Sequence, residues 1–451
     1  MTGLSALPVA AGRLPLLGHL VGLWRDPLGF LRALRPVGDI VRVDLGPYPV
    51  YVVTSAELQR QLLTTHAGGL VRGRVYQRAR VIFGNGLATS DGPWHRRQRR
   101  LVQPAFQRAR IEQYTQAMVE CARREAESWQ HGQLLQLDQA MHELTLTTLL
   151  RALFSTQIDQ DTTAQVCRLM PVVLRNIPIR MVTPGALDRL PFLTGARRFD
   201  TAVRQLRALV DQLATERVNA HGSDSSDLLD LLLTQPMTRA ELGDELVSLL
   251  VAGVETTGTT LAWTFHQLAR HPAVERRVHQ EIDQLIGTGP VTTETLAGLE
   301  YTRRVLWEVL RLHPPLLFTR RSTTEVQLGG VTLPPGTEVV YSPYALHRDP
   351  DRYPDPDRFE PDRWPVDSEQ RAGQRDPGGF SPFGHGAHRC LGDGFAVAEL
   401  TVALVTIAAR WRLRPADPGR VVRTVPAAVP YPDALPMVAL RRRPTDCQDE
   451  T

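Results

Sequence analysis

The hydrophobic and polar positions along the chain predict a long helical middle between two smaller β-rich regions. Ile40–Leu45 and Val50–Thr54 are short β-branched runs, and Gly46-Pro47-Tyr48-Pro49 between them predicts a hairpin. Ser55 predicts a cap for a helix through Leu63. Residues 68–93 are glycine-rich and predict irregular chain, residues 94 to about 170 read as mostly helical, and helices return over 200–313. The segment 171–195 mixes proline with Val172, Ile177, Met181, Leu190 and Phe192, and predicts a mobile, greasy flap. Strand-like runs resume at 325–333 and 338–341, proline-rich irregular chain fills 343–382, and a helix from Phe395 leads to a short β-like end. No repeat, low-complexity tract or composition break divides the sequence. The expectation is one domain over 1–451, mainly α with a small β subdomain.

Composition narrows the picture. A chain of 451 residues, 42% hydrophobic, can bury a large core and an internal cofactor. A formal charge of +4 is too mild to argue nucleic-acid binding. The basic residues cluster locally instead, as at Arg96, Arg97, Arg99 and Arg100. The four cysteines, at 121, 167, 390 and 447, lack paired spacing, so neither a disulfide framework nor a zinc site is predicted. No apolar run suggests a membrane span, and the first residues do not read as a secretory signal. The expected setting is the cytoplasm, without a membrane anchor.

Two stretches carry chemistry. The first is Phe383-Gly384-His385-Gly386-Ala387-His388-Arg389-Cys390-Leu391-Gly392. It presents a single cysteine in a glycine-punctuated loop just ahead of a helix. Glycines let backbone amides approach a bulky sulfur, and the helix N-terminus favours a thiolate. Such a thiolate suits the axial ligand of a haem iron. The second stretch lies mid-helix, within 241–270: Ala252-Gly253-Val254-Glu255-Thr256-Thr257-Gly258-Thr259-Thr260. Glycine and threonine both weaken a helix, and a threonine hydroxyl bonded to the preceding turn can open it. Small residues there are expected to leave room over a flat cofactor. Glu255 and Thr256 form an acid–alcohol pair able to relay protons.

Glu308 and Arg311 share a helix face that ends at His313-Pro314-Pro315, and His95 and Arg99 share another. Together these motifs resemble the cytochrome P450 family, and the likeness runs over nearly the full length, nearest to bacterial members that oxidise terpenes. The resemblance implies the P450 fold and haem b held by Cys390. It implies His95, Arg99 and Arg321 as partners of the haem propionates, with Phe383 and His388 in the ligand loop. His388 stands where the family more often has arginine. Glu255 and Thr256 match the family's oxygen-activation pair. Glu308, Arg311 and Arg363, the last within Pro361-Asp362-Arg363-Trp364, match its structural ion network. Ala252, Leu316, Leu317 and Phe318 are expected to wall an apolar pocket.

The implied activity is O2-dependent monooxygenation of a hydrophobic small molecule, a sesquiterpene-like terpenoid of secondary metabolism or another apolar substrate such as a fatty acid, steroid or polyketide. Electrons would come from a separate ferredoxin and ferredoxin reductase. A peroxide-driven peroxygenase would not need the acid–alcohol pair. A haem-thiolate gas sensor would need an output domain, and none is visible in the sequence.

Overall fold

The computed structural model describes residues 3–154, 160–182, 194–219, 227–287, 289–365 and 379–442. Helices form its bulk: α1 (Arg74–Phe83), α2 (Gly92–Val102), α3 (Arg108–Ser128), α4 (Leu137–Phe154), α5 (Gln160–Val182), α6 (Thr194–Asn219), α7 (Arg239–Arg270), α8 (Pro272–Leu285), α9 (Glu300–Leu312) and α10 (Asp393–Ala408). Their apolar faces make the main core. Leu144, Leu246, Leu250, Leu261, Val305 and Val405 all lie within it, so the helices of the middle and the last helix bury one another.

The smaller β region holds a five-stranded sheet. Its strands are β1 (Ile40–Leu45), β2 (Tyr48–Val53), β3 (Leu70–Arg72), β5 (Phe318–Ser322) and β6 (Glu338–Tyr341), in the order β1-β2-β6-β5-β3. The hairpin turns two residues earlier than expected. Leu45 pairs with Tyr48, and Gly46 takes the left-handed φ of +62° that the tight turn requires. A second sheet joins β4 (Gln133–Gln136), β7 (Trp411–Pro415) and β8 (Pro436–Arg441), with β8 central.

Local chemistry explains the ends of the elements. Ser55 accepts from the Leu58 amide at 3.5 Å and starts the helix Ala56–Leu63. Thr238 and Glu241 form a reciprocal capping box that opens α7, and Pro272 begins α8 as soon as α7 stops. An 18-residue window of α7 is long and apolar enough for a membrane span, which the sequence did not lead us to expect. With 72% of that window buried among its neighbours, α7 is the central helix of the core.

Residues 68–93 are more ordered than their glycines suggest. They contain β3 and α1, and α1 buries only Ala79 and Ile82, too thin an apolar stripe to stand out in the sequence. The expected flap is partly helix. Helix α5 runs through Val172 to Val182, and residues 183–193, with Leu190 and Phe192, lie outside the described residues.

Candidate active site

The cysteine loop is folded by its own backbone. The Cys390 amide donates to the Phe383 carbonyl at 2.8 Å, and Gly384 and Gly386 hold φ of +70° and +68°. A Cβ on Gly386 would come 2.0 Å from the Leu63 carbonyl oxygen, so only glycine fits there. Gly392 has an ordinary φ of −90° and serves as the N-cap of α10. Phe383 packs on Trp307, Leu310 and Phe380 behind the loop. Burial pushes the Cys390 thiol up to about 11, while the Gly392 amide and the guanidiniums of Arg99 and Arg389 pull against that rise. Yet Cys390 is accessible by surface area. A sulfur that is hemmed in by protein and still reachable by solvent lies on the wall of an internal cleft.

Beside this loop sits an unusual concentration of positive charge. The His95 and His388 rings lie 4.1 Å apart between centroids. Burial, then Arg72 and other arginines including Arg320, push His95 down to about 4 and His388 to about 2, so both imidazoles are neutral. Arg72 and Arg320 are direct partners across β3 and β5, so two like charges share one face of the sheet. The nearby carboxylate is Asp91, which accepts from the Arg72 amide at 2.9 Å and lies 3.5 Å from His388.

His95 Nε2, Arg72 Nε and His388 Nδ1 are buried without a hydrogen-bond partner. Orphaned nitrogens, of which the Arg72 Nε–H is a donor in any protonation state, around paired cations form a receptor for an anionic group, and the two carboxylates of a haem fit it.

Arg321 is placed differently from the expectation. Side chains alternate along β5, so Arg321 faces away from Arg320. Its cross-strand partner is Glu338, with an N–O separation of 3.8 Å. Arg320 is therefore the arginine at the cluster. Arg99 braces the ligand loop from beside it, donating to the Arg389 carbonyl at 2.7 Å.

On α7, Ala252 and Thr256 are exposed although Val251, Val254 and Thr257 around them are buried. Four residues apart, they face one way, onto a cleft in the middle of the core. The Thr256 hydroxyl donates to the Ala252 carbonyl at 2.8 Å, and Thr260 repeats the bond to Thr256 at 2.8 Å. The glycines have another use than the expected one. Cβ atoms on Gly253 and Gly258 would meet Leu149 at 2.8 Å and His142 at 3.0 Å, so these glycines let α7 close on α4. Burial raises Glu255 to about 7, so its carboxyl exchanges protons near neutrality.

Three acids nearby were not singled out from the sequence. Glu399 of α10 hydrogen-bonds Thr257, and its burial holds it well above the usual carboxylate range. Asp244 and Glu245 accept from the Asn85 and Leu87 amides at 2.7 and 2.9 Å, fastening the loop after α1 to α7. Arg72 and Arg320 were missed as well. Only the pairing of β3 with β5 brings them together, and no spacing in the sequence signals that.

The ion network is fully internal. Arg311 forks onto both Glu308 oxygens at 2.9 and 2.8 Å, and both side chains are 0% exposed. Arg311 also donates to the carbonyls of His347, Pro356 and Arg358. Glu308 further accepts from Arg363 at 2.9 Å and from Trp364 Nε1 at 3.0 Å.

Of the expected pocket wall, Leu316 lies instead in the core beside Val52, Val340 and Tyr344, because its backbone is tied to Ala428 and Ser342. Leu317 packs on the same cluster and Phe318 tilts against Tyr341 at 5.3 Å, both only partly buried.

A cysteine loop at an internal cleft, an anion receptor beside it and a continuous helix that turns Ala252 and Thr256 to that cleft describe a haem-thiolate oxidoreductase. Residues 8–429 match the family model described as Cytochrome P450, and the chain belongs to that family. Its cofactor is haem with cysteine-thiolate ligation, and the family's reaction takes O2 and a hydrophobic substrate. The chain is similar to cyclooctat-9-en-7-ol 5-monooxygenase of Streptomyces melanosporofaciens, 43% identical over 95% of this chain and 94% of the relative. It is 37% identical to pentalenene oxygenase of Streptomyces avermitilis, over 94% of each chain. The cytochrome P450DA heme domain superposes with a TM-score of 0.85 at 26% identity, over 98% of this chain and 99% of that one.

Proposed function

We propose that this protein is a single-domain terpenoid monooxygenase, in which Cys390 ligates the haem iron and the Ala252–Thr256 face of α7 borders the site of reaction. The observation that carries the assignment is the accessible, hemmed-in Cys390 beside the orphaned nitrogens of His95, Arg72 and His388. The names of the two relatives above, which oxidise terpenoids, support the substrate class. The haem supplies one-electron and O2 chemistry that protein side chains lack.

The chain's own residues do the rest. Arg72, His95, Arg320 and His388 receive the propionates, and Arg99 holds the ligand loop against them. Glu255, with a carboxyl that titrates near neutrality, passes protons from solvent. Thr256 keeps its hydroxyl at the cleft while bonded back to Ala252. Leu317, Phe318 and Ala252 keep that cleft apolar, and the loop fastened by Asp244 and Glu245 closes it on one side. Glu308, Arg311 and Arg363 fix the scaffold and touch no substrate.

Electrons come from a separate ferredoxin and its reductase, and the enzyme works in the cytoplasm. The three described cysteines, all free, support a reducing compartment.

The test is the carbon monoxide difference spectrum of the reduced protein, followed by titration with sesquiterpene and diterpene hydrocarbons and alcohols. A red-shifted Soret band that Cys390→Ser abolishes is expected, together with a low-to-high-spin shift on adding a terpenoid. Retention of the thiolate band in Cys390→Ser would remove the ligand assignment. A normal band with no terpenoid response, but a response to fatty acids or steroids, would replace the substrate class.

A further inference from the structure

The cysteine loop carries one ion pair that the assignment above does not use. Arg389, the residue before Cys390, meets Asp393, the first residue of α10. Its Nη2 lies 2.7 Å and its Nε 2.9 Å from the same oxygen, Asp393 Oδ2. The other oxygen, Oδ1, accepts from the Gly394 amide at 2.7 Å. Both ends are anchored. The Arg389 carbonyl is held by Arg99 of α2 at 2.7 Å, and the Arg389 amide donates to the Gly386 carbonyl at 3.1 Å. At the other end, a Cβ on Gly394 would come 2.9 Å from the Ile111 side chain, so the first turn of α10 is pressed against α3 and keeps Asp393 in place. An ion pair whose side chains are 41% and 28% exposed contributes little to stability. Its position matters more, because Cys390 lies between its members in the chain.

The Cys390 sulfur meets opposed influences. The Gly392 amide hydrogen-bonds it, and the positive N-terminal end of α10 favours a thiolate. Asp393 works against both. It takes the Gly394 amide, one of the amides that an α-helix leaves unpaired at its start, and it adds a negative charge where the helix end is positive. Of the charged groups acting on the thiol, Asp393 has the largest influence and opposes ionisation, while Arg99 and Arg389 favour it. A carboxylate beside a thiolate raises the electron density on the sulfur. The sulfur then donates more strongly to a bound iron, and adding an electron to that iron becomes harder. Arg389 cancels part of this effect, since it is bound to the same carboxylate.

We propose that Asp393 and Arg389 are a matched pair of positioning residues that set the electron density on the Cys390 sulfur, Asp393 strengthening its donation to the haem iron and Arg389 limiting it. Neither touches the substrate or the reacting atoms. The inference rests on Cys390 as the iron ligand and adds the two side chains that tune that ligand. It does not depend on the substrate class.

The test is spectroelectrochemical titration of the full-length, haem-loaded protein without substrate, in Asp393→Asn, Arg389→Gln and the double variant. Asp393→Asn keeps the shape and the oxygen that accepts from Gly394 while removing the charge. It should raise the reduction potential, favouring the reduced state by about threefold to tenfold, which is about 30–60 mV for one electron. Arg389→Gln should lower the potential. The double variant should return close to the wild-type value, because it removes one charge of each sign. The carbon monoxide band of the wild type is measured first. Its absence would remove the ligand assignment and the role of the pair with it. A normal band with an unmoved potential in Asp393→Asn overturns the role of the pair alone. So do shifts of one sign in both single variants that add in the double variant, which would make a loosened loop, and not charge, the cause.

Discussion

Two groups of buried charge lie in this fold, and they are built on opposite rules. Around Glu308 and Arg311 every charged atom has a partner inside the protein, and the network is closed. Around Arg72, Arg320, His95 and His388, like charges face each other across two strands and three buried nitrogens have no partner. The first arrangement needs nothing from outside. The second is unfavourable by itself and becomes favourable when an anion arrives. Burial of charge alone therefore does not set the two apart; the balance of charge within each group does.

The largest effect should come from opening the closed network. Glu308→Ala strands two arginines in the core and should cost about 3–5 kcal/mol, enough to prevent recovery of folded protein or to lower its melting temperature sharply. The check is thermal unfolding followed by circular dichroism. Retention of wild-type stability would mean that the network is dispensable.

The open cluster should respond in the opposite sense. Arg320→Ala should weaken haem retention by about 1.5–3 kcal/mol, while leaving the haem-free protein no less stable, because it removes a like-charge contact. Arg321→Ala, one residue on, should change haem retention by less than about 0.5 kcal/mol. Haem transfer to an acceptor protein, alongside urea unfolding of the haem-free chain, separates the two. Equal losses from both variants would dissolve the distinction between the two faces of β5.

A pH-dependent effect should appear at Glu255. Its pKa is raised from 4.5 to about 7 in the folded protein. Between those values the folded state binds more protons than the unfolded one, so this residue makes stability fall as pH rises. Glu255→Gln should remove that part of the slope, about 2–3 kcal/mol between pH 5 and 8, and should slow turnover with a larger solvent isotope effect. Parallel urea titrations at the two pH values check the first point. An unchanged slope would show that Glu255 does not titrate in this range.

Much of the candidate site was legible because its parts are local. The ligand loop, the Glu255-Thr256 pair and the Glu308–Arg311 pair each fit within a few residues, where turn chemistry and helix periodicity fix the geometry. The helix after Ser55 was legible through its cap for the same reason. What was not legible depends on pairing over long separations. Arg320 and Arg321 are identical and adjacent, and which one faces the cluster is decided by the register of β5 against β3 and β6. Leu316 is as apolar as Leu317, and it is core because its backbone is held by Ala428 and Ser342. The glycines of α7 signalled close approach, but to α4 rather than to the cofactor.

The sequence alone thus determined the family, its cysteine-thiolate haem and the mainly helical build. These are properties of short stretches whose chemistry is set by neighbours in the chain. Only the tertiary structure decided which buried charges are closed and which stay open. Satisfying a buried donor or acceptor is a property of everything packed around it, and those partners come from segments tens to hundreds of residues apart.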